Sequence, residues 1–447
     1  MNLAAMLARR ADEGRPLRVG VIGAGKFAAM YLAQAARTPG IHVLGVADLS
    51  VDRARDTLGR IGWHEGRYRA RSFDEARRTG ATCVTEDALA LLAADGLDVV
   101  VEATGNPAAG IRHALAAFEQ GRHVVMVNVE GDALAGPLLA QRAREAGVVY
   151  SLAYGDQPAL IAELVDWARA AGLPVVAAGK GTKYLPAYHY STPETVWDHY
   201  GLSAEDAAAG GMNPQMFNSF LDGTKSAIEM AAVANATGLE APAGGLGFPP
   251  CGADDLPTVL RPAADGGSLA HAGMVEVVSS LERDGSPVAR DLRWGVYAVF
   301  GAPDDYVARC FREYGLRTDA SGRYAAMYKP YHLIGLELGI SVASAGLRRE
   351  ATGCPSGWMA DVVAVAKRDL AEGEYLDGEG GATVWGRLAP ATQAAASDAL
   401  PVGLAHGVRL RRAVAADRPV RWADVDIDET DATVAFRRAM EAAFKRA

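Results

Sequence analysis

Four polar side chains recur along one apolar stretch of the chain, and their types could move a proton. The stretch NSFLDGTKSAIEMAAVANATGL begins at Asn218. If it forms one continuous α-helix, Asn218, Asp222, Lys225 and Glu229 share a stripe about 60° wide, because successive residues are about 100° apart. The remaining faces are mostly apolar, which is typical of a buried helix, so we expect the stripe to face a cleft. A surface helix with spaced ion pairs is the alternative, but it needs a wider polar face.

A lysine inside such a cleft is suited to lend or take a proton near neutral pH. Lys225 is therefore the predicted catalytic group. Asp222 and Glu229 are expected to orient and tune it, and Asn218 completes the predicted catalytic set.

A glycine-containing turn near the N-terminus predicts a dinucleotide site. Residues 17–28, LRVGVIGAGKFA, lead a short apolar strand into Gly23-x-Gly25-x-x-Ala28. Gly23 permits the tight turn, Gly25 lets the pyrophosphate approach, and Ala28 lets the following helix pack on the strand. The helix N-terminus then favours an anion. The turn predicts NAD or NADP, with a glycine-rich turn in an unrelated α/β domain as the alternative. The predicted cofactor-binding residues here are Gly23, Gly25, Lys26, Phe27 and Ala28.

The choice between the two cofactors is left open by the next strand. That strand ends in Asp48, which would accept a hydrogen bond from the ribose 2′-hydroxyl of NAD and repel the 2′-phosphate of NADP. Several arginines follow and could hold that phosphate instead, or form a solvated loop. They are Arg53, Arg55, Arg67, Arg69 and Arg71.

Alternating strands and helices in the first third of the chain predict a parallel sheet. Ligands in such sheets bind beyond the carboxyl ends of the strands. Thr104, Gly105 and Asn128 follow two of those ends and are predicted neighbours of the ribose and nicotinamide, although each could be an ordinary turn residue. The predicted strands are Arg18–Ile22, Val43–Ala47, Val99–Ala103, His123–Val127 and Val148–Leu152.

Further polar residues predict a place for an anionic substrate. Lys180 and Lys183 lie in GKGTKY, which is expected to be a glycine loop after the strand 175–178 and lacks the spacing of an ATP-binding loop. Pro330–Leu347 is expected to be a helix that bears His332 in its first turn, where it could hold a carboxylate or phosphate, although a structural histidine is the alternative. The predicted substrate-binding residues are Lys180, Lys183, Asp156, Tyr328 and His332.

Composition limits the class of protein. The chain has 447 residues and a net charge of −9, which argues against a nucleic-acid partner. No apolar run approaches the roughly 18 residues that a membrane span needs, so no membrane partner is expected. The four cysteines lie far apart without zinc-type spacing and suit a reduced cytoplasm. The first residues predict a short surface or partner-contacting helix, not a signal peptide.

Several stretches together resemble known oxidoreductases. GAGKFA, Asp222-Gly223-x-Lys225 and the loops after the predicted strands resemble homoserine dehydrogenase-like enzymes. The whole chain more closely resembles the deoxyxylulose-phosphate reductoisomerase-like oxidoreductases of bacteria, through VNVEGD, YSLAYGDQPALI, GKGTKYLP, FLDGTKSAIEMAAVANATGL and YKPYHLIGLELGISVASA. The tail resembles an SAF domain, a β-clip module also found in sialic-acid synthases and flagellar P-ring chaperones.

The resemblance implies an NADP-linked homodimer in which Lys225 takes the place of the family's catalytic lysine. It also implies that some members serve isoprenoid synthesis, converting 1-deoxy-D-xylulose 5-phosphate to 2-C-methyl-D-erythritol 4-phosphate, usually with Mg²⁺ or Mn²⁺. The residues themselves assign no metal ligands. A homoserine- or sugar-acid-type dehydrogenase without rearrangement, and a non-catalytic carbohydrate-binding or redox-sensing protein, are the alternatives.

The sequence thus predicts an α/β protein with a Rossmann parallel sheet, a central α+β catalytic domain and a small all-β SAF domain of β-clip type. The predicted segments are an N-terminal helix in 1–16, a dinucleotide-binding domain in 17–152, a catalytic domain in 153–354 and the β domain in 355–447.

Overall fold

A computed structural model describes residues 2–445, which form two compact units. The first comprises residues 2–160 together with His332–Ser356, and the second comprises Ile161–Tyr331 and residues 357–445. The last part of the region expected to form the catalytic domain, from His332 onward, therefore packs with the N-terminal unit.

The first unit is built on a six-stranded parallel sheet, which confirms the predicted Rossmann sheet. Its strands are β1 Leu17–Ile22, β2 Ile41–Ala47, β3 Cys83–Thr85, β4 Val99–Glu102, β5 His123–Met126 and β6 Tyr150–Leu152. The spatial order is β3-β2-β1-β4-β5-β6, which is the order of Rossmann dinucleotide-binding folds. The sequence did not predict β3, an edge strand of only three residues, which is too short to show an alternating pattern.

Helices cover the sheet of the first unit. They are α1 Leu3–Asp12, α2 Lys26–Ala35, α3 Val51–Arg60, α4 Phe73–Thr79, α5 Ala88–Ala93, α6 Pro107–Glu119 and α7 Val129–Glu145. The predicted N-terminal helix is present as α1, and its Leu3 and Leu7 are buried in the same apolar core as Leu17 and Tyr31.

The second unit contains a four-stranded mixed sheet, formed by β7 Val175–Thr182, β8 Met274–Ser279, β9 Val296–Gly301 and β10 Tyr324–Lys329 in the order β10-β9-β7-β8. Its helices, with α8 beginning just before the unit boundary, are α8 Gln157–Ala170, α9 Val196–Tyr200, α10 Ala204–Ala209, α11 Pro214–Leu221, α12 Thr224–Thr237, α13 Leu256–Val259 and α14 Asp305–Glu313.

Two local predictions in this unit are wrong. Lys180 lies on strand β7, not in a glycine loop. A Cβ at Gly179 or Gly181 would collide with the backbone of Glu276 or Leu292, so these glycines allow close approach of neighbouring chain segments. The predicted single helix from Asn218 is interrupted: α11 ends at Leu221, and α12 begins at Thr224.

The interruption has a local cause at Gly223, whose φ of +92° lies in the left-handed region that favours glycine. Asp222 closes α11, and Gly223 reverses the backbone before α12. The apolar pattern on both sides of this turn is helical, which is why the sequence suggested one helix.

The predicted helix Pro330–Leu347 is also wrong. Pro330 follows β10, residues 334–338 form turns, and only α15, Gly339–Ala343, and a π-helical turn, Ser344–Arg348, are helical. Gly335 has a φ of +75°, and a Cβ there would lie 2.8 Å from the carbonyl oxygen of Phe27. Close packing on α2 therefore replaces the expected helix.

The C-terminal part of the second unit forms the predicted β domain. Its elements are β11 Ala360–Ala366, β12 Tyr375–Asp377, β13 Val384–Pro390, α16 Ala391–Ala396, β14 His406–Leu410, β15 Val425–Asp426 and α17 Ala432–Phe444. Helix α12 packs against β7 and β8 on one side and against β11 and β13 on another, which explains its apolar surface. Within residues 2–445, no helix has both the length and the apolar character to cross a bilayer.

Candidate cofactor and active site

The glycine turn has the geometry that a dinucleotide needs. Helix α2 begins at Lys26, with the exposed Gly25 as its N-cap. Gly23 has a φ of +94°, and a Cβ there would lie 2.7 Å from the carbonyl oxygen of Ala103. A Cβ at Gly25 would have no heavy atom within 4 Å, so the space above the helix N-terminus is open. Phe27 is half-buried and Ala28 is buried, as expected of residues that seat the helix on the sheet.

Gly25 is the glycine of this turn whose substitution tests cofactor binding, because a Cβ there would border open space. We expect Gly25→Ala to leave the apo melting temperature within about 1 °C and to weaken NADPH binding about tenfold, because its methyl group occupies the pyrophosphate approach. Fluorescence titration with NADPH measures the second effect. Gly244→Ala is a matched control, since a Cβ there also has no heavy atom within 4 Å. Unchanged NADPH affinity in the Gly25 variant would contradict the assignment.

Asp48 joins the glycine turn to the end of β2. The carboxylate is buried, and it accepts hydrogen bonds from the backbone N–H of Ala24 at 2.8 Å and of Ser50 at 3.0 Å. Arg53 forms an ion pair with it at 2.5 Å while its own side chain is 62% exposed. Both carboxylate oxygens are thus occupied within the protein, and a guanidinium lies beside the residue expected to meet the ribose.

Several of the predicted arginines line one cleft in the first unit. Its volume is about 1250 Å³. Arg53, Arg55, Arg69 and Arg71 line it together with Arg60, while Asp56 and Glu65 add negative charge. Arg67 does not line it and instead lies 4.5 Å from the ring centroid of Trp63. The cleft can accept an anionic group beside Arg53.

The predicted residues after β4 and β5 differ in accessibility. Thr104 and Gly105 are exposed. Asn128 is buried and fully used: its side chain accepts from Gly131 N–H at 3.0 Å as the N-cap of α7, and donates to the Asn106 carbonyl at 2.7 Å. These bonds hold the segment between β5 and α7 in place. The sequence missed Glu102, a buried carboxylate that accepts a hydrogen bond from the Thr104 hydroxyl at 2.6 Å.

Lys225 occupies a distinctive position in the second unit. From Leu221 to Asn235, every residue is buried except Lys225, which is half-buried in the first turn of α12. A helix packed on several sides therefore presents one basic side chain toward partly accessible space. The predicted cleft-facing lysine is consistent with this placement, and its approach to the nicotinamide stays a prediction.

The other members of the expected stripe around Lys225 have bonding partners of their own. Asn218 is buried; it donates to the carbonyl oxygen of Gly380 at 2.8 Å and accepts from the Ser191 hydroxyl at 2.6 Å. Asp222 is buried and paired with Lys367 at 2.8 Å. Burial raises the pKa of Asp222, while the Lys367 ammonium opposes that rise. Both residues are thus bonded to segments outside the two helices.

Glu229 lies one turn after Lys225 on the same helix and forms a buried ion pair with Lys180 of β7. Lys180 is therefore charge-balanced. Lys183 is half-buried and donates to the carbonyl oxygen of His199 at 2.5 Å; its pKa is lowered by burial and by the nearby Arg293. An ammonium has three donors, so Lys183 retains capacity for an anion.

The other predicted substrate residues lie in different local surroundings. Asp156 is buried and accepts a hydrogen bond from the Gln157 N–H at 2.9 Å. Tyr328 is half-buried on β10, with its hydroxyl 3.2 Å from Arg290. His332 is half-buried in the irregular segment after β10, so its predicted place at a helix N-terminus is wrong.

The sequence also missed a polar network that surrounds the turn before Lys225. Lys367 lies directly after β11 and is buried. His189 donates from Nδ1 to the Asp222 carbonyl at 2.6 Å, and its Nε2 accepts from the Tyr184 hydroxyl at 2.8 Å. Burial lowers the pKa of His189. No local motif marks these residues, because their partners are distant in the chain.

In the part of the chain that the structure describes, no three His, Cys, Asp or Glu side chains are grouped so that they could hold a metal ion.

Comparison with protein families identifies three consecutive domains. Residues 19–152 match the NAD-binding domain of homoserine dehydrogenase, residues 155–338 match the catalytic domain of oxidoreductase DRL, and residues 361–426 match the SAF domain. The chain therefore carries NAD(P)-dependent oxidoreductase domains followed by the predicted SAF domain. The comparison with curated proteins gave no match.

Solved structures resemble only part of the chain. Biliverdin reductase from Synechocystis sp. PCC 6803, in complex with biliverdin and NADP+, is 19% identical over 40% of this chain and 54% of its own, with a TM-score of 0.27. Myo-inositol dehydrogenase from Lactobacillus casei, in complex with NAD(H) and myo-inositol, is 16% identical over 40% of this chain and 50% of its own, with a TM-score of 0.29. The chain thus spans about half the length of these structures.

Proposed function

We propose that this chain, which carries NAD(P)-dependent oxidoreductase domains, reduces a small anionic hydroxycarbonyl compound with NADPH, with Lys225 as the proton donor. The observation that carries the proposal is the position of Lys225. It is the one half-buried residue between Leu221 and Asn235, on a helix held against strands on different sides. The match to a DRL oxidoreductase catalytic domain covers this helix.

The reaction assigned to the site adds a hydride and a proton across a carbonyl group. Bound NADPH supplies the hydride to the carbonyl carbon. The Lys225 ammonium donates a hydrogen bond to the carbonyl oxygen, polarises it, and transfers a proton to the oxygen as negative charge develops there. The product is an alcohol. Because α12 is packed between strands, Lys225 starts from a fixed backbone position, which favours productive orientation.

The anionic end of the substrate is assigned to the basic residues near β7. Lys183 has donor capacity beyond its bond to the His199 carbonyl, and Lys180 is neutralised by Glu229. The proposal therefore gives Lys183 the larger role in holding a phosphate or carboxylate. This modifies the expectation that Lys180, Lys183 and His332 share the task.

The first substrate to test is 1-deoxy-D-xylulose 5-phosphate, with NADPH consumption followed by absorbance, with and without Mn²⁺. The branched product 2-C-methyl-D-erythritol 4-phosphate indicates a reductoisomerase, whereas an unbranched polyol phosphate indicates simple reduction.

The match to the homoserine dehydrogenase NAD-binding domain favours a second candidate, a dehydrogenase without rearrangement. NADP-dependent oxidation of homoserine or a sugar acid supports it. Sugar binding without any cofactor turnover contradicts both candidates.

A further inference from the structure

The C-terminal β domain touches the turn from which Lys225 projects. Lys367 donates to the Asp222 carboxylate at 2.8 Å, and to the carbonyl oxygens of Ser191 and Gly381, each at 2.6 Å. Its ammonium is thus held by three acceptors that belong to separate chain segments. Lys367 and Asp222 are both buried.

Asp222 passes this connection to the start of α12. Its Oδ1 accepts a hydrogen bond from the Thr224 N–H at 2.9 Å, in the first turn of the helix. Lys225 is the next residue. Since Gly223 is left-handed and has no side chain to restrain it, the turn depends on bonds from its neighbours.

Two more contacts from the β domain converge on the same turn. The Thr224 hydroxyl accepts a hydrogen bond from the Gly386 N–H at 2.8 Å. The Trp385 ring stacks on His189 at 3.9 Å between centroids, and His189 donates to the Asp222 carbonyl. Asp222 and Thr224, on either side of Gly223, are therefore fixed, directly or through His189, by strand β13 and Lys367.

We propose that Lys367 is a positioning residue: through the Asp222 carboxylate, the SAF domain holds the α12 N-terminus so that Lys225 is oriented for its reaction. The statement that Lys225 is oriented for a reaction rests on the proposed function. The geometric part, that Lys367 sets the environment of Lys225, stands independently of any substrate.

The test follows Lys225 itself in the full-length protein. Acetylation by sulfosuccinimidyl acetate is measured for each lysine by peptide mass spectrometry. In Lys367→Met and in Asp222→Asn we expect the Lys225 acetylation rate to change at least about fivefold, with Lys445 unchanged. With 1-deoxy-D-xylulose 5-phosphate, kcat falls about 20-fold while KM stays within about threefold, because orientation and not binding is lost.

A matched control removes another buried ion pair of the same domain. Arg437 of α17 forms buried ion pairs with Asp361 of β11 and with Glu441 of its own helix. Arg437→Met should lower the melting temperature, leave Lys225 acetylation unchanged and keep kcat within about twofold. If Lys367→Met behaves in the same way, Lys367 is only structural and the proposal is overturned.

The double variant Lys367→Met/Asp222→Asn separates stability from positioning. It leaves no buried charge without its partner, so its melting temperature should recover toward the wild-type value. Because the connection to α12 is still missing, Lys225 acetylation and kcat should remain altered; recovery of both overturns the inference. Two results together would refute the catalytic role and leave the positioning role intact. They are full turnover by a Lys225 variant and, in proteins that retain Lys225, an acetylation rate that still depends on Lys367.

Discussion

Replacement of Lys225 by methionine is expected to lower NADPH-dependent turnover about 1,000-fold while leaving NADPH affinity within about threefold. The size follows from general acid catalysis, which contributes about 100- to 10,000-fold. Methionine keeps the length of the side chain and removes the proton. The affinity is retained because the pyrophosphate and ribose, which dominate dinucleotide binding, are assigned to the glycine turn and the strand ends. Single-turnover oxidation of NADPH and fluorescence titration measure the two quantities.

The control for this experiment is Lys445→Met, which makes the same replacement in the same unit at the exposed C-terminal end of α17. It should change neither turnover nor affinity by more than about twofold. A Lys225→Met enzyme that retains more than about a tenth of wild-type turnover would remove Lys225 from the mechanism. Equal loss of NADPH affinity and turnover would instead place Lys225 at the cofactor.

The contrast between Lys225 and its neighbours shows what sequence patterns can reveal. The apolar pattern indicated a buried helix with a partly accessible lysine, and α12 has that character. Asp222 and Asn218 suggested a shared cleft because they are polar in apolar surroundings. The same pattern is produced by polar groups bonded to distant segments, and the partner of Asp222 is 145 residues away. Local spacing carries no signal for such a pair.

The dinucleotide-binding unit was more predictable because its signals are local. The turn at Gly23 and Gly25 follows β1 and starts α2, so the strand, turn and helix are encoded within a dozen residues. Asp48 was correctly placed at the end of β2. Its bonds to Ala24 and Arg53 were not predicted, since they depend on how the two strand ends are arranged.

Glycines were the least predictable residues of the region expected to form the catalytic domain. Gly179 and Gly181 suggested a flexible anion loop, but they lie in β7, where neighbouring backbone leaves no room for a Cβ. Gly335 occurred in a helical pattern, yet it is a left-handed turn residue packed on α2. In each case tertiary contact, which the local sequence does not encode, determines why glycine is required.

Arg53 should decide the cofactor. Asp48 normally binds the ribose 2′-hydroxyl of NAD in this fold, but here its oxygens already accept from two backbone N–H groups and Arg53. The exposed Arg53 guanidinium borders an arginine-lined cleft and is suited to a 2′-phosphate. We therefore propose NADP preference and expect Arg53→Ala to weaken NADPH binding about 100-fold, as loss of hydrogen bonds to a charged group implies.

The decisive comparison is with NADH, which lacks the 2′-phosphate. The affinity for NADH should change by less than about threefold in Arg53→Ala. The variant would then lose its preference for NADPH, instead of binding both nucleotides more weakly. Arg37→Ala, at an exposed arginine just after the end of α2 in the same unit, controls for general loss of positive charge. If both nucleotides weaken equally, Arg53 acts by holding Asp48 against the glycine turn, and the phosphate must be bound elsewhere. If NADH binds more tightly than NADPH in the wild type, the NADP assignment itself is refuted.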